Sequence, residues 1–156
     1  MPLLTSEELL AVTDRLRQHE GWRSKVYDDA TGLPIVPGSL VVGHPTIGYG
    51  RALDTNGINV DEGEILLQND VFPRYDALVA ALPWVVELSS VRQGVLLEMA
   101  YQMGLSGLLT FKRTLAAVRW HHYTYASRSM LDSLWAKQTP ARAARLAAIM
   151  RTGTDA

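Results

Sequence analysis

His19-Glu20-Gly21 closes an apolar-periodic segment, Asp29 comes nine residues after Glu20, and Thr46-Ile47-Gly48-Tyr49-Gly50 follows a loop. A carboxylic acid, a second carboxylate and a hydroxyl can together cut a glycosidic bond. The acid protonates the leaving oxygen while the other two hold a water on the opposite face of the ring. Each residue alone has an ordinary alternative. Glu20 could be a helix-terminal surface carboxylate. Asp29 could serve only an Asx turn, with Asp28 as the reacting partner. Thr46 could pack in a strand through its methyl group.

The elements that must position these groups are legible. Thr5-Ser6-Glu7-Glu8 reads as a capping box, and Leu9, Leu10, Val12, Thr13 and Leu16 then recur at helical spacing, giving a helix over about 6–19. Gly21 ends it, so Glu20 sits at a helix C-terminus, where the macrodipole favours the protonated acid. From Lys25 to about Val60 the texture turns to short β-prone pieces. Val26-Tyr27, Leu40-Val41-Val42 and Ile47-Gly48-Tyr49 are the expected strands, with turns near Thr31-Gly32, Pro37-Gly38 and Asn56-Gly57. Asp61-Glu62-Gly63-Glu64 opens a longer helix to about Ala81, which Pro73 should kink or break. Helices are expected at about 90–103, 107–119, 122–132 and 140–151. The last has Pro140 in its first turn and Gly153 just past its end.

The chain has 156 residues, 47 % of them hydrophobic and 20 % charged, the composition of an ordinary globular protein. That length suits one compact domain or two small lobes. With no cysteine there is neither a disulfide framework nor a thiolate zinc site. No run approaches the roughly 20 apolar residues of a membrane span. The net charge is −1, but residues 1–111 carry 7 basic and 14 acidic residues, and residues 112–156 carry 8 and 2. The basic segment is either a solvated face or a surface that attracts an anionic polymer. No basic stripe is interleaved with aromatics, so a nucleic-acid partner is not expected. Nor is a metal: His121-His122 lacks a spaced carboxylate or further histidine.

Glu20-Gly21-Trp22-Arg23-Ser24-Lys25-Val26-Tyr27-Asp28-Asp29, with Gly32 and Thr46-Ile47-Gly48-Tyr49-Gly50 beyond it, resembles the active-site segment of phage-type lysozymes, glycoside hydrolase family 24. Tyr101-Gln102-Met103-Gly104, Trp135 to Arg142 and Arg151-Thr152-Gly153-Thr154 resemble further segments of that family, in the same order along nearly the whole chain. The resemblance implies a mainly α-helical α+β fold of lysozyme type. A small β-hairpin lobe (about 1–60) would be joined by a long helix (about 61–81) to a helical lobe (about 84–152), in one catalytic domain with the active-site cleft between the lobes.

It also implies a muramidase acting on the β-1,4 bond between N-acetylmuramic acid and N-acetylglucosamine in peptidoglycan, with no cofactor. Glu20 would be the general acid, and Asp29 and Thr46 would hold or activate the water. Tyr101, Gln102, Arg142, Thr114, Ser129 and Ala52 would contact substrate, Arg142 standing at a family arginine near the acid. Inversion would set the two carboxyl groups roughly 6.5–9.5 Å apart. A monomer is expected, made in the host cytoplasm without a signal peptide, since Glu7 and Glu8 stand where such a peptide carries positive charge. It would act on the wall from the periplasm with the help of a holin, or be carried in the virion. The four tryptophans, Trp22, Trp84, Trp120 and Trp135, are expected in the core.

Two departures from the family pattern stand out. Ala30 to Pro45 is a long loop where compact members have a short turn, and Arg51 replaces the histidine of many relatives. His44, at the end of that loop, either lines the cleft or is a solvated loop residue. Two other functions compete: a lytic transglycosylase, which needs no water, and a non-catalytic wall-binding domain of the virion.

Overall fold

The computed structural model describes residues 4–155. The chain is 66% helical with one three-stranded antiparallel sheet, the mainly helical α+β class expected from the resemblance. It divides into two compact units, one up to Gly63 and one from Glu64.

The first unit opens with α1 (Ser6–Glu20). Its capping box forms as the sequence requires: Thr5 Oγ1 accepts from the Glu8 N–H, and Glu8 Oε2 accepts from the Thr5 N–H at 2.7 Å. That second bond lowers the Glu8 pKa and satisfies donors the helix itself leaves open. Gly21, with φ 66°, stops the helix one residue after Glu20. The sheet follows in the order β1 (Arg23–Asp28), β2 (Pro45–Gly48), β3 (Arg51–Ala52), with Tyr27 paired to Thr46 and Thr46 to Ala52.

Leu40-Val41-Val42 forms no strand. Its β-propensity finds no ladder partner, and the Val42 N–H donates instead to the Asp28 carboxylate at 2.8 Å. The loop touches β1 earlier, where Tyr27 bridges Pro34 and the Ile35 N–H reaches the Val26 carbonyl. A one-turn helix, α2 (Leu53–Asn56), follows β3 and ends at Gly57. Arg51 binds this corner together, donating through Nε to the Gly57 carbonyl at 2.7 Å and pairing with Glu62 at 2.8 Å.

The long helix, α3 (Val60–Ala81), runs through Pro73 without interruption. Pro73 and Asn69 are both exposed, so the carbonyl that loses its donor can turn to water. The second unit continues through a 3₁₀ turn (Pro83–Glu87) into α4 (Ser90–Leu109), α5 (Lys112–Arg119), α6 (Tyr123–Leu131), α7 (Leu134–Gln138) and α8 (Pro140–Thr152). Gly104 breaks α4 with φ 77°. The expected helix 107–119 is therefore two pieces, parted at Thr110 and Phe111, and α7 is an element the periodicity does not show.

Leu78, Val95, Leu96, Met99, Leu108, Met130, Leu146 and Met150 form the fully buried core of this unit. Each such side chain contributes about 1.5–3 kcal/mol on leaving water. Arg92 closes α8: its Nε donates to the Met150 carbonyl at 2.9 Å and its guanidinium lies over the Tyr123 ring, a cation at a helix C-terminus. Of the four tryptophans only Trp135 is in the core. Trp84 is half-buried, whereas Trp22 and Trp120 are 65% and 68% exposed, each standing just beyond a helix end where no apolar layer covers it.

Candidate active site

In the first unit Glu20 is the last residue of α1, and its carboxylate rests against the β2–β3 turn. A Cβ on Gly50 would stand 2.8 Å from Glu20 Oε2, and Gly50 has φ 79°. Only glycine meets both conditions without strain. Trp22 and Tyr49 flank this contact as an exposed aromatic pair with ring centroids 5.1 Å apart.

The end of β1 carries two adjacent aspartates with different work. Asp28 is buried, and its carboxylate accepts the N–H groups of Val42 at 2.8 Å, Gly43 at 2.9 Å and Ala30 at 3.0 Å. The Val42 bond, more than any other, lowers its pKa. The Asx turn therefore belongs to Asp28. Asp29 is exposed and accepts one bond, from the His44 N–H at 2.7 Å. Gly43 lets these chains approach: a Cβ there would lie 2.7 Å from the Ala30 Cβ.

Thr46 lies buried in the middle strand, between Tyr27 and Ala52, and its hydroxyl donates to the His44 carbonyl at 3.1 Å. Asp29 and Thr46 thus meet through the main chain of one residue. The His44 ring is half exposed and bonds Asp54 of α2, Nδ1 to Oδ2 at 2.8 Å. That hydrogen bond, then the charges of Asp54 and Asp29, raise the His44 pKa, and the same bond lowers that of Asp54. The sequence left His44 open and did not single out Asp54. Its only signal was a histidine directly before Pro45-Thr46.

The remaining sequence-derived positions lie in the second unit, in three places, except Ala52, which pairs with Thr46 in β3. Thr114 of α5 is buried, and its hydroxyl donates to Ser129 of α6 at 2.9 Å. Both line a pocket of about 370 Å³ with Asp132, Ser133 and Trp135. Gln102 of α4 accepts from the Trp135 indole N–H at 2.9 Å. Tyr101 and the exposed Arg142 border a second groove with Glu98, and Arg74 lies over the Tyr101 ring at 5.0 Å. Arg145, beside Arg142 on α8, is paired with Glu98. Among the described residues no group of acidic or histidine side chains has metal-binding geometry, and no helix is long and apolar enough to cross a membrane.

The chain is 29% identical to the pre-baseplate central spike protein Gp5 of Enterobacteria phage T4 across 92% of its own length, and that match spans 28% of the spike protein. It is 25% identical to probable T4-type lysozyme 1 of Dictyostelium discoideum, covering 92% of this chain and 95% of that one. A shorter stretch, 43% of the chain, is 34% identical to probable T4-type lysozyme 2 of the same organism. The phage lysozyme family model matches residues 17–150, a span that takes in Glu20, Asp29 and Thr46, and the chain belongs to that family.

Proposed function

We propose that this phage-family lysozyme is a muramidase that hydrolyses the β-1,4 bond between N-acetylmuramic acid and N-acetylglucosamine with inversion at the anomeric carbon. Glu20 donates a proton to the glycosidic oxygen as the bond to the anomeric carbon breaks. A water on the opposite face attacks that carbon, and Asp29 accepts its proton. Thr46 holds the same water: its own hydrogen is committed to the His44 carbonyl, which leaves oxygen lone pairs to accept from it. The observation that carries this reading is the sharing of His44 by Asp29 and Thr46. A carboxylate with one hydrogen bond and a hydroxyl on the same main-chain segment are the parts a water-directed mechanism needs. A transglycosylase, which uses the sugar's own 6-hydroxyl, needs neither.

The Ser129 pocket and the Tyr101–Arg142 groove supply polar and aromatic surface for the glycan. The biological setting would be phage-mediated lysis of the host or penetration of its wall, in the periplasm or from the virion. Digestion of purified peptidoglycan, with mass and anomeric analysis of the first products, tests the reaction. Reducing muramic ends of inverted configuration are expected, and 1,6-anhydromuramic ends would overturn hydrolysis. Glu20→Gln should lower turnover by about 10²–10⁴-fold. Because Glu20 is exposed, its helical circular-dichroism signal should persist.

A further inference from the structure

We propose that His44 is a positioning residue for the hydrolytic water, its imidazole anchored on Asp54 so that its main chain holds Asp29 and Thr46 in register. The proposal rests on the roles given above to those two residues. Three hydrogen bonds converge on this one main-chain unit. Its N–H donates to Asp29 Oδ1 at 2.7 Å, and its carbonyl accepts from the Asp29 N–H at 3.1 Å and from Thr46 Oγ1 at 3.1 Å. Any displacement of residue 44 therefore moves carboxylate and hydroxyl together. A misplacement of about 1 Å at a reacting centre can cost on the order of 10²-fold in rate.

The long loop makes this residue the place where control is needed. Leu40 and Val42 are exposed, so the loop's approach to β2 is not fixed by apolar packing. Pro45 confines His44 to extended backbone, Asp28 holds Val42 and Gly43 from below, and the ring reaches out to α2. That helix is itself tied down, because Gly57 at its end accepts from Arg51 Nε. The imidazole thus links the end of a loosely packed loop to the anchored corner of β3 and α2.

The ring touches Asp54 of α2 at 2.8 Å, and the other charges acting on it, Asp29 and Asp28 at the end of β1, are acidic as well. A protonated imidazole neutralises a cluster whose members otherwise repel. The raised pKa has the matching sign: the cation is fully present below the ordinary histidine value of 6.5 and is lost as pH rises through the higher folded value. A neutral ring carrying its hydrogen on Nδ1 keeps the bond to Asp54 without the charge, so the loss of rate is partial. For a half-exposed pair it amounts to as much as about fivefold.

The test is the pH profile of kcat and KM on purified peptidoglycan at fixed ionic strength, for the wild type, His44→Gln, Asp54→Asn and His44→Arg. Wild type should lose kcat on the alkaline side with KM steady. His44→Gln and Asp54→Asn should have lower kcat at pH 6 and a flattened limb. His44→Arg, a permanent cation able to reach Asp54, should restore kcat and hold it to higher pH. An NMR titration of the His44 ring adds a readout independent of turnover: its pKa should fall in Asp54→Asn. An unchanged ring titration in Asp54→Asn, or a wild-type to His44→Gln ratio of kcat that stays the same as pH rises through the ring's titration, overturns the proposal, because the limb due to Glu20 is common to both proteins. A wild-type protein that never cuts the glycan, with the ring titration as expected, overturns instead the muramidase reading beneath it.

Discussion

The Glu20 carboxylate occupies the space a side chain at Gly50 would need, with Oε2 2.8 Å from the position of the missing Cβ. The last residue of α1 and the turn between β2 and β3 are fitted to each other at the proposed proton donor. Gly50→Ala should separate activity from stability. The obstructing atom is the end of a flexible side chain, so it can swing away at little cost. What remains is the left-handed backbone at φ 79°, worth about 1–2 kcal/mol. A drop in Tm of roughly 2–8 °C is expected, whereas kcat should fall on the order of 10²-fold because the acid no longer points where it did. Thermal unfolding and wall-lysis rates on one preparation check both halves.

Adjacent aspartates should fail in opposite ways. Asp28→Asn replaces an acceptor of three main-chain N–H groups with a side chain that has one acceptor oxygen and a competing donor. Lower stability at neutral pH is expected, with activity lost through the loop. Asp29→Asn keeps an oxygen that can accept the single bond from the His44 N–H, so it should leave Tm nearly unchanged while turnover collapses. The Asp28 pKa is depressed below the ordinary 3.8, so its contribution is present above that value and disappears as pH falls through the lower folded value. The Tm gap between wild type and Asp28→Asn should therefore close on acidification. A gap that is the same at pH 3 and pH 7 would count against the assignment.

Those two residues also show where the sequence stopped being readable. The capping box at Thr5 and Glu8, the helix end at Glu20 and the Pro140-to-Gly153 helix rest on local rules and follow from neighbouring residues. Asp28 and Asp29 are chemically identical neighbours. Only the return of Val42 and Gly43 across the loop distinguishes them. Leu40-Val41-Val42 has strand chemistry but no partner, a tertiary fact that propensity does not contain. The helix α7 is five residues long, too short for a 3.6-residue period to register. The His44–Asp54 pair joins residues ten apart through a corner whose geometry depends on Arg51 and Gly57.

The Thr114–Ser129 pair sets a buried hydroxyl beside a partly exposed one at the pocket. Thr114→Val removes one neutral hydrogen bond whose partner can turn to water, so a stability change within about 1.5 kcal/mol is expected. Ser129→Ala should raise KM for glycan severalfold and leave kcat and Tm close to wild type. Equal effects of the two substitutions on KM would mean that the pocket does not read the sugar through Ser129.

Arg51 supplies a different kind of pH statement, because a titratable residue can be installed in its place. Its guanidinium pairs with Glu62 at 2.8 Å and donates through Nε to the Gly57 carbonyl. Arg51→His would install a group with an ordinary pKa of about 6.5 beside a carboxylate, which raises it in the folded state. The recovered pairing would be complete below 6.5 and lost as pH rises through the folded value, the sign for any group whose pKa folding raises. Both partners are about a third exposed, so the recovered part should be no more than about 1 kcal/mol. The Nε bond to Gly57 is lost at every pH. Tm measured from pH 5 to pH 8.5 should thus show a deficit for Arg51→His relative to wild type at every pH, and that deficit should widen above neutrality.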